Sequence, residues 1–168
     1  KAKEQFEKNI YSEDLLYEAI LLRSYIYAVD NVENAKDILE SSTPSDIWKP
    51  FYEEFAEILE SLNEDSKYNA TKLAKAYINN DYPYLAIKVL EPIANDILEY
   101  QEGMYFLGRA YLEYGDYDNA IIYLDRGLTL GGMEEEILWA KARAYLLKNE
   151  LENAITSYAS AVNYAGKN

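Results

Sequence analysis

Few side chains in this 168-residue chain can do covalent or acid–base chemistry. There is no cysteine and no histidine, which removes thiol nucleophiles, imidazole bases and the usual zinc ligands together. Carboxylates remain, as the neighbours Glu53-Glu54 and the run Glu134-Glu135-Glu136. Three acids at the start of a helix answer the positive end of its dipole, so the run is read as a helix start rather than an acid–base pair. Gly131-Gly132 lacks the lysine and spacing of a phosphate loop. Asp116-Tyr117-Asp118 lacks calcium-loop spacing and reads as a turn entering a helix. The expectation is a chain without enzymatic activity, cofactor or metal.

The cations carry more information. Lys75, Arg109 and Arg143 stand 34 residues apart, each followed by Ala-Tyr: Ala76-Tyr77, Ala110-Tyr111 and Ala144-Tyr145. Nine residues after each tyrosine comes an Ala-Ile pair, Ala86-Ile87, Ala120-Ile121 and Ala154-Ile155. A fixed period of this size marks a stacked repeat array, whose use is an extended surface for another protein.

The elements that position these cations are helices. Met104, Leu107, Gly108, Tyr111 and Leu112 recur at helical spacing, Gly115-Asp116 interrupts them, and Tyr117, Ala120, Ile121, Leu124 and Leu128 resume before Gly131-Gly132. This is a helix, a tight turn and a second helix. Small residues at Ala74, Gly108 and Ala142, opposed by Ala86, Ala120 and Ala154, allow the paired axes to approach to about 8–10 Å. Tyr77, Tyr111 and Tyr145 are expected to fill the wider gap.

Residues 101–134 resemble a tetratricopeptide repeat through Leu107-Gly108, Tyr111, Gly115-Asp116-Tyr117, Ala120 and Leu124. The pattern extends to 67–100 through Leu73-Ala74, Tyr77, Ala86, Leu90 and Ile93, and to 135–168 through Leu138, Ala142, Tyr145, Leu151, Ala154, Tyr158 and Ala161. The resemblance implies an all-α, right-handed α-solenoid of antiparallel helix pairs, about eight or nine helices in one domain. The family's proline after the second helix is missing, Lys141 takes a usually apolar site, and Pro92 is expected to kink or shorten its helix.

Residues 1–66 are read as degenerate repeats. Ser12 is the expected N-cap of a helix through about Val29. Asp30 through Ala35 echoes Gly115 through Ala120, so a degraded repeat is placed near 16–49, although Arg23 then falls where a small residue belongs. Residues 41–45 break the pattern, and Pro50 opens a helix with an apolar stripe at Phe51, Phe55, Ile58, Leu59 and Leu62. That helix has no assigned repeat phase. Residues 1–11 are a polar lead-in.

In the family the first helices line the concave face. Positions four and seven apart share one helix side, which gives a candidate groove of Thr71, Lys75 and Ile78, then Tyr105, Arg109 and Leu112, then Trp139, Arg143 and Leu146. One reading is a track for a peptide that offers acidic groups or carbonyls to the cations. The other is that the cations neutralise acids such as Glu102, Glu113 and Glu136. A sub-family's clamp for a chaperone's C-terminal carboxylate is rejected: its sites hold Thr71, Lys75, Phe106, Glu136 and Ala140, and Glu136 repels the ligand. Among 18 tyrosines, most helical aromatic stripes are read as core. Tyr105 and Trp139 are excepted because their register turns them outward.

A net charge of −14 disfavours nucleic acid and anionic membrane surfaces, and no apolar run is long enough to span a bilayer. The expected partner is a protein or peptide. The alternative is an assembly subunit, associating through its acidic first 66 residues, net −10, or through a part-open C-terminal edge of Ile155, Tyr158 and Val162. A third option is a regulatory subunit near a membrane. Because the sequence starts at Lys1, an excised or processed segment is expected, cytoplasmic or extracytoplasmic behind an upstream anchor. Its end is expected to precede further repeats.

Overall fold

The computed structural model describes residues 2–98 and 100–166, of which 2–13 are described by backbone alone. Among the described residues it contains nine α-helices and no strand. The chain divides into two compact units, residues 1–62 and 63–168.

The first unit holds α1 (Ala2–Ala28), α2 (Val32–Glu40) and α3 (Lys49–Ser61). The helix expected to start at Ser12 instead runs through it, its backbone unbroken from Ala2. Asn31 caps α2, its side-chain oxygen accepting from the Asn34 N–H at 3.0 Å. Pro50 lies in the first turn of α3, where its missing N–H costs nothing. Here α3 is fastened to α1: Trp48 Nε1 donates to Asp14 at 3.1 Å and the Tyr52 hydroxyl to the Tyr17 carbonyl at 2.9 Å. The Tyr25 and Phe55 rings meet edge to face at 4.3 Å.

Arg23 is not the residue at the α1–α2 crossing. That place belongs to Ser24, fully buried, whose hydroxyl donates to the Ala35 carbonyl at 2.7 Å. The reason lies in the turn. Asn31 N–H returns four residues, to the Tyr27 carbonyl. The turns of the second unit return five, so counting back from Asn31 with their spacing overshoots by one residue.

The second unit stacks three helix pairs: α4 (Ser66–Asn79) with α5 (Pro83–Leu90), α6 (Gln101–Tyr114) with α7 (Tyr117–Leu130), and α8 (Glu134–Leu147) with α9 (Leu151–Ala165). The three intra-pair turns are the same object. Tyr82, Asp116 and Glu150 N–H donate to the carbonyls of Tyr77, Tyr111 and Tyr145 at 2.8, 2.9 and 2.8 Å. One residue in each turn is left-handed: Asp81 and Asn149 at φ 63° and Gly115 at φ 96°. Asparagine, aspartate and glycine are the residues that tolerate this conformation. The 34-residue period of the sequence is therefore a period of backbone geometry.

The crossing of α6 and α7 is close because Gly108 has no side chain. A methyl at Gly108 would stand 2.6 Å from Leu124 Cγ and 3.1 Å from the Leu124 backbone nitrogen. Ala74, Ala86 and Ala120 are fully buried, and Ala142 and Ala154 nearly so. Tyr77 and Tyr111 are buried, but Tyr145 only half so. Tyr111 stacks on Tyr123 at 5.4 Å and donates its hydroxyl to Glu91. That residue begins the 3-10 turn Glu91–Ile93, where Pro92 cuts α5 short at Leu90.

Candidate peptide-binding hollow

The first helices α6 and α8 turn the side chains at 105, 109 and 112, and at 139, 143 and 146, to one side. All six line one hollow of about 790 Å³, together with Glu136, Ala140 and Ala142 of α8 and Ala154, Ile155, Tyr158 and Ala159 of α9. Thr71, Lys75 and Ile78 are not among its walls. Thr71 is 3% exposed, and its short side chain donates back to the Lys67 carbonyl at 2.8 Å. Ile78 is packed into the core, and Lys75 is exposed and makes no ion pair with a described residue. The expected three-rung ladder is a two-rung one.

The two rungs share one carboxylate. Arg143 donates both guanidinium nitrogens to Glu113, at 2.6 and 3.0 Å, and Arg109 lies 3.8 Å from the same group. The Arg109 guanidinium also sits 5.9 Å from the Tyr105 ring centre. Two cations against one carboxylate leave one positive charge at the rim. Glu136 faces it from the same hollow.

The floor is apolar. Trp139, 40% exposed, meets Tyr158 edge to face at 4.4 Å. Leu146 is 57% and Ile155 69% exposed. Of the residues expected at a part-open C-terminal edge, Ile155 and Tyr158 are walls of the same hollow, while Val162 is exposed and not among them. Glu113 is one of the acids expected to neutralise the cations, and it takes two of them; of the lining alanines, Ala159 alone carries no mark in the sequence reading. The Arg143–Glu113 contact spans 30 residues and crosses between repeats, which helical spacing does not reveal.

Ion pairs also fix α8 to the preceding repeat. Lys148 Nζ lies 2.6 Å from Asp118 and 2.8 Å from Glu150, and Lys141 pairs with Asp125. Its two carboxylate partners push the Lys148 ammonium up, and Lys148 draws the Glu150 carboxyl down.

The profile of the family described as Tetratricopeptide repeat matches residues 101–130 and 135–168. Residues 101–168 are tetratricopeptide repeats. The pair α4–α5 closes its turn with the same bond, from Tyr82 N–H to the Tyr77 carbonyl. No curated protein and no solved structure matches the chain. Tetratricopeptide repeats mediate protein–protein interaction and are typically non-enzymatic. No described helix is long and apolar enough to cross a membrane.

Proposed function

We propose that this protein is a non-enzymatic interaction module that binds a peptide or protein segment in the hollow between α6, α8 and α9. The observation that carries this reading is the convergence of Tyr105, Arg109, Leu112, Trp139, Arg143 and Leu146 on one apolar hollow with two arginines at its rim. Exposed aromatic and arginine side chains at a concave surface are the anchors that dominate protein interfaces. An apolar side chain of the ligand packs on Trp139 and Leu146, and a carboxylate or carbonyl of the ligand competes with Glu113 for Arg143.

The test is selection of peptides from a displayed library on the native protein, followed by affinities for Trp139→Ala and for the double variant Arg109→Glu, Arg143→Glu. A loss of tenfold or more in each supports the reading. Unchanged affinities with native helix content remove the hollow from the mechanism.

A second reading rests on the exposure of Ile155 and Val162. It makes this edge an assembly surface, so that the protein acts as a structural subunit. Sedimentation over a wide concentration range decides it, since a strict monomer rules self-assembly out.

A further inference from the structure

Glu113 is reached by bases from two directions. Arg109, four residues before it on α6, lies 3.8 Å away, and Arg143, 30 residues after it on α8, holds it through both guanidinium nitrogens at 2.6 and 3.0 Å. Shifted back one 34-residue period, the positions of this base, acid and base are Lys75, Asn79 and Arg109. The backbone repeats with the same period: α4 packs against α6 and α6 against α8, and the turns after α4 and α6 close with the same hydrogen bond. The place of the Glu113 carboxylate therefore falls, one junction earlier, at Asn79, with a base on the same helix and a base on the next. The bases are kept and the acid between them is replaced by a neutral amide.

These groups are free to take a ligand. Lys75 and Asn79 are both exposed, and neither makes a hydrogen bond or ion pair with a described residue. Arg109 rests on the Tyr105 ring and shares Glu113 with Arg143, which holds that carboxylate at the shorter distances. An asparagine amide offers two N–H donors to an incoming anion, where a glutamate would fill the place itself. We propose that Lys75, Asn79 and Arg109 form a carboxylate-binding site whose ligand is an aspartate or glutamate side chain of a partner protein.

The choice of a carboxylate follows from the next junction, where this chain already seats one between two bases. A phosphate brings nearly two negative charges into the field of a chain of net charge −14, which opposes the second more than it opposes one. A neutral carbonyl makes the weaker bond to a guanidinium or ammonium group. The site shares Arg109 with the hollow and otherwise stands apart from it, since neither Lys75 nor Asn79 is among the walls of the hollow and α9 takes no part.

Two end-blocked tripeptides, acetyl-Gly-Glu-Gly-amide and acetyl-Gly-Gln-Gly-amide, and inorganic phosphate test this when each is titrated into the native protein at matched ionic strength. The Asn79 side-chain amide and the Arg109 Nε–H are followed by NMR. The glutamate peptide is expected to shift both signals saturably and to bind roughly threefold or more tighter than the glutamine peptide or phosphate, as two exposed ion pairs allow. Lys75→Gln is expected to weaken it roughly two- to fivefold. Asn79→Glu supplies the missing acid from within the chain and is expected to abolish the response of Arg109. Its new carboxyl should titrate below the ordinary glutamate range, and adding Lys75→Gln should bring it back up. Equal responses to the glutamate and glutamine peptides overturn the inference, as does an ordinary titration of the carboxyl introduced at position 79. Tighter binding of phosphate than of the glutamate peptide overturns it as well, since the bases then serve another anion. Library peptides that need Trp139 but bind Asn79→Glu as well as the native protein leave the hollow standing and remove this site.

Discussion

The closeness of the α6–α7 crossing is tested by making the same change at two glycines. Gly108→Ala and Gly127→Ala both replace glycine inside a helix, and each gains about 1 kcal/mol of helix propensity. Their surroundings differ. The methyl at 108 meets Leu124 Cγ at 2.6 Å, Leu124 Cδ2 at 2.9 Å and the Leu124 backbone nitrogen at 3.1 Å. Rotating the leucine relieves the first two contacts and not the third, so α7 must move; overpacking of this kind costs about 1–3 kcal/mol. The methyl at 127 meets the tip of Ile137 at 3.1 Å and nothing else within 3.4 Å. A few tenths of an ångström of side-chain movement suffices there.

Gly127→Ala is therefore expected to be neutral or to stabilise by up to about 1 kcal/mol, and Gly108→Ala to destabilise by up to about 2 kcal/mol. Their difference cancels the propensity and unfolded-state contributions and isolates the clash, about 1–3 kcal/mol. Urea unfolding followed by circular dichroism measures it, with hydrogen exchange in α6 locating it. A double-mutant cycle adds a control. Leu124→Ala alone removes a fully buried side chain and should cost about 2–5 kcal/mol. In the Gly108→Ala background it should cost less by about 1–3 kcal/mol, because the new methyl partly fills the space. If Gly108→Ala proves as stable as Gly127→Ala, the crossing is wider than described and the argument from small residues fails.

Other outcomes follow from single contacts. Tyr111→Phe removes the hydroxyl bonded to Glu91 and should cost about 1–2 kcal/mol in urea unfolding. Burial, then the Glu91 hydrogen bond and charge, hold the Tyr111 phenol protonated well above the ordinary tyrosine range. The unfolded chain therefore loses its proton first, stability falls as pH rises above about 10, and Tyr111→Phe should flatten that fall in a pH series of unfolding curves. Gly115→Ala places a side chain at φ 96° and should cost about 1 kcal/mol or more, whereas Asn149→Gly in the equivalent turn should be neutral or stabilising, read as shifts in midpoint. Ser24→Ala leaves the α1–α2 crossing dry and one bond short and should cost about 1 kcal/mol.

The second unit was legible in sequence because its period acts through residues with distinct physical demands. Gly115 and Asn149 tolerate a left-handed backbone, Gly108 and Ala120 permit close axes, and Pro92 ends a helix. Each constrains the chain locally, so each could be found without coordinates. The α1–α2 pair was misaligned because a turn shorter by one residue changes which side chain reaches the crossing, and neither Arg23 nor Ser24 announces that. The groove was half legible. Helical spacing put Thr71 and Ile78 on the same stripe as Tyr105 and Leu112, but a stripe becomes a wall only where no neighbour covers it. Glu113 marks the same limit from the other side: Arg109 stands four residues before it on α6, but Arg143 reaches it from α8.

The ion pairs of α8 bear on how much of this surface is available to a ligand. Arg143 and Lys141 of α8 and Lys148 at its C-cap each reach back to an acid of the preceding repeat, so three bases serve the stack. Exposed pairs of this kind contribute only about 0–1 kcal/mol each, while Ile137, fully buried and set against Gly127 of α7, carries apolar packing at the same junction. Stability thus comes mainly from the apolar contacts, and the charges fix which face meets which. A ligand carboxylate that displaces Glu113 from Arg143 therefore exchanges one exposed pair for another at little cost to the fold. The apolar floor beneath, with Ile155 and Leu146 more than half exposed, is where binding has free energy to gain, about 25 cal/mol for each Å² covered. Affinity should accordingly follow the ligand's apolar area on Trp139, Leu146 and Ile155, and the arginines should set its orientation and its dependence on salt.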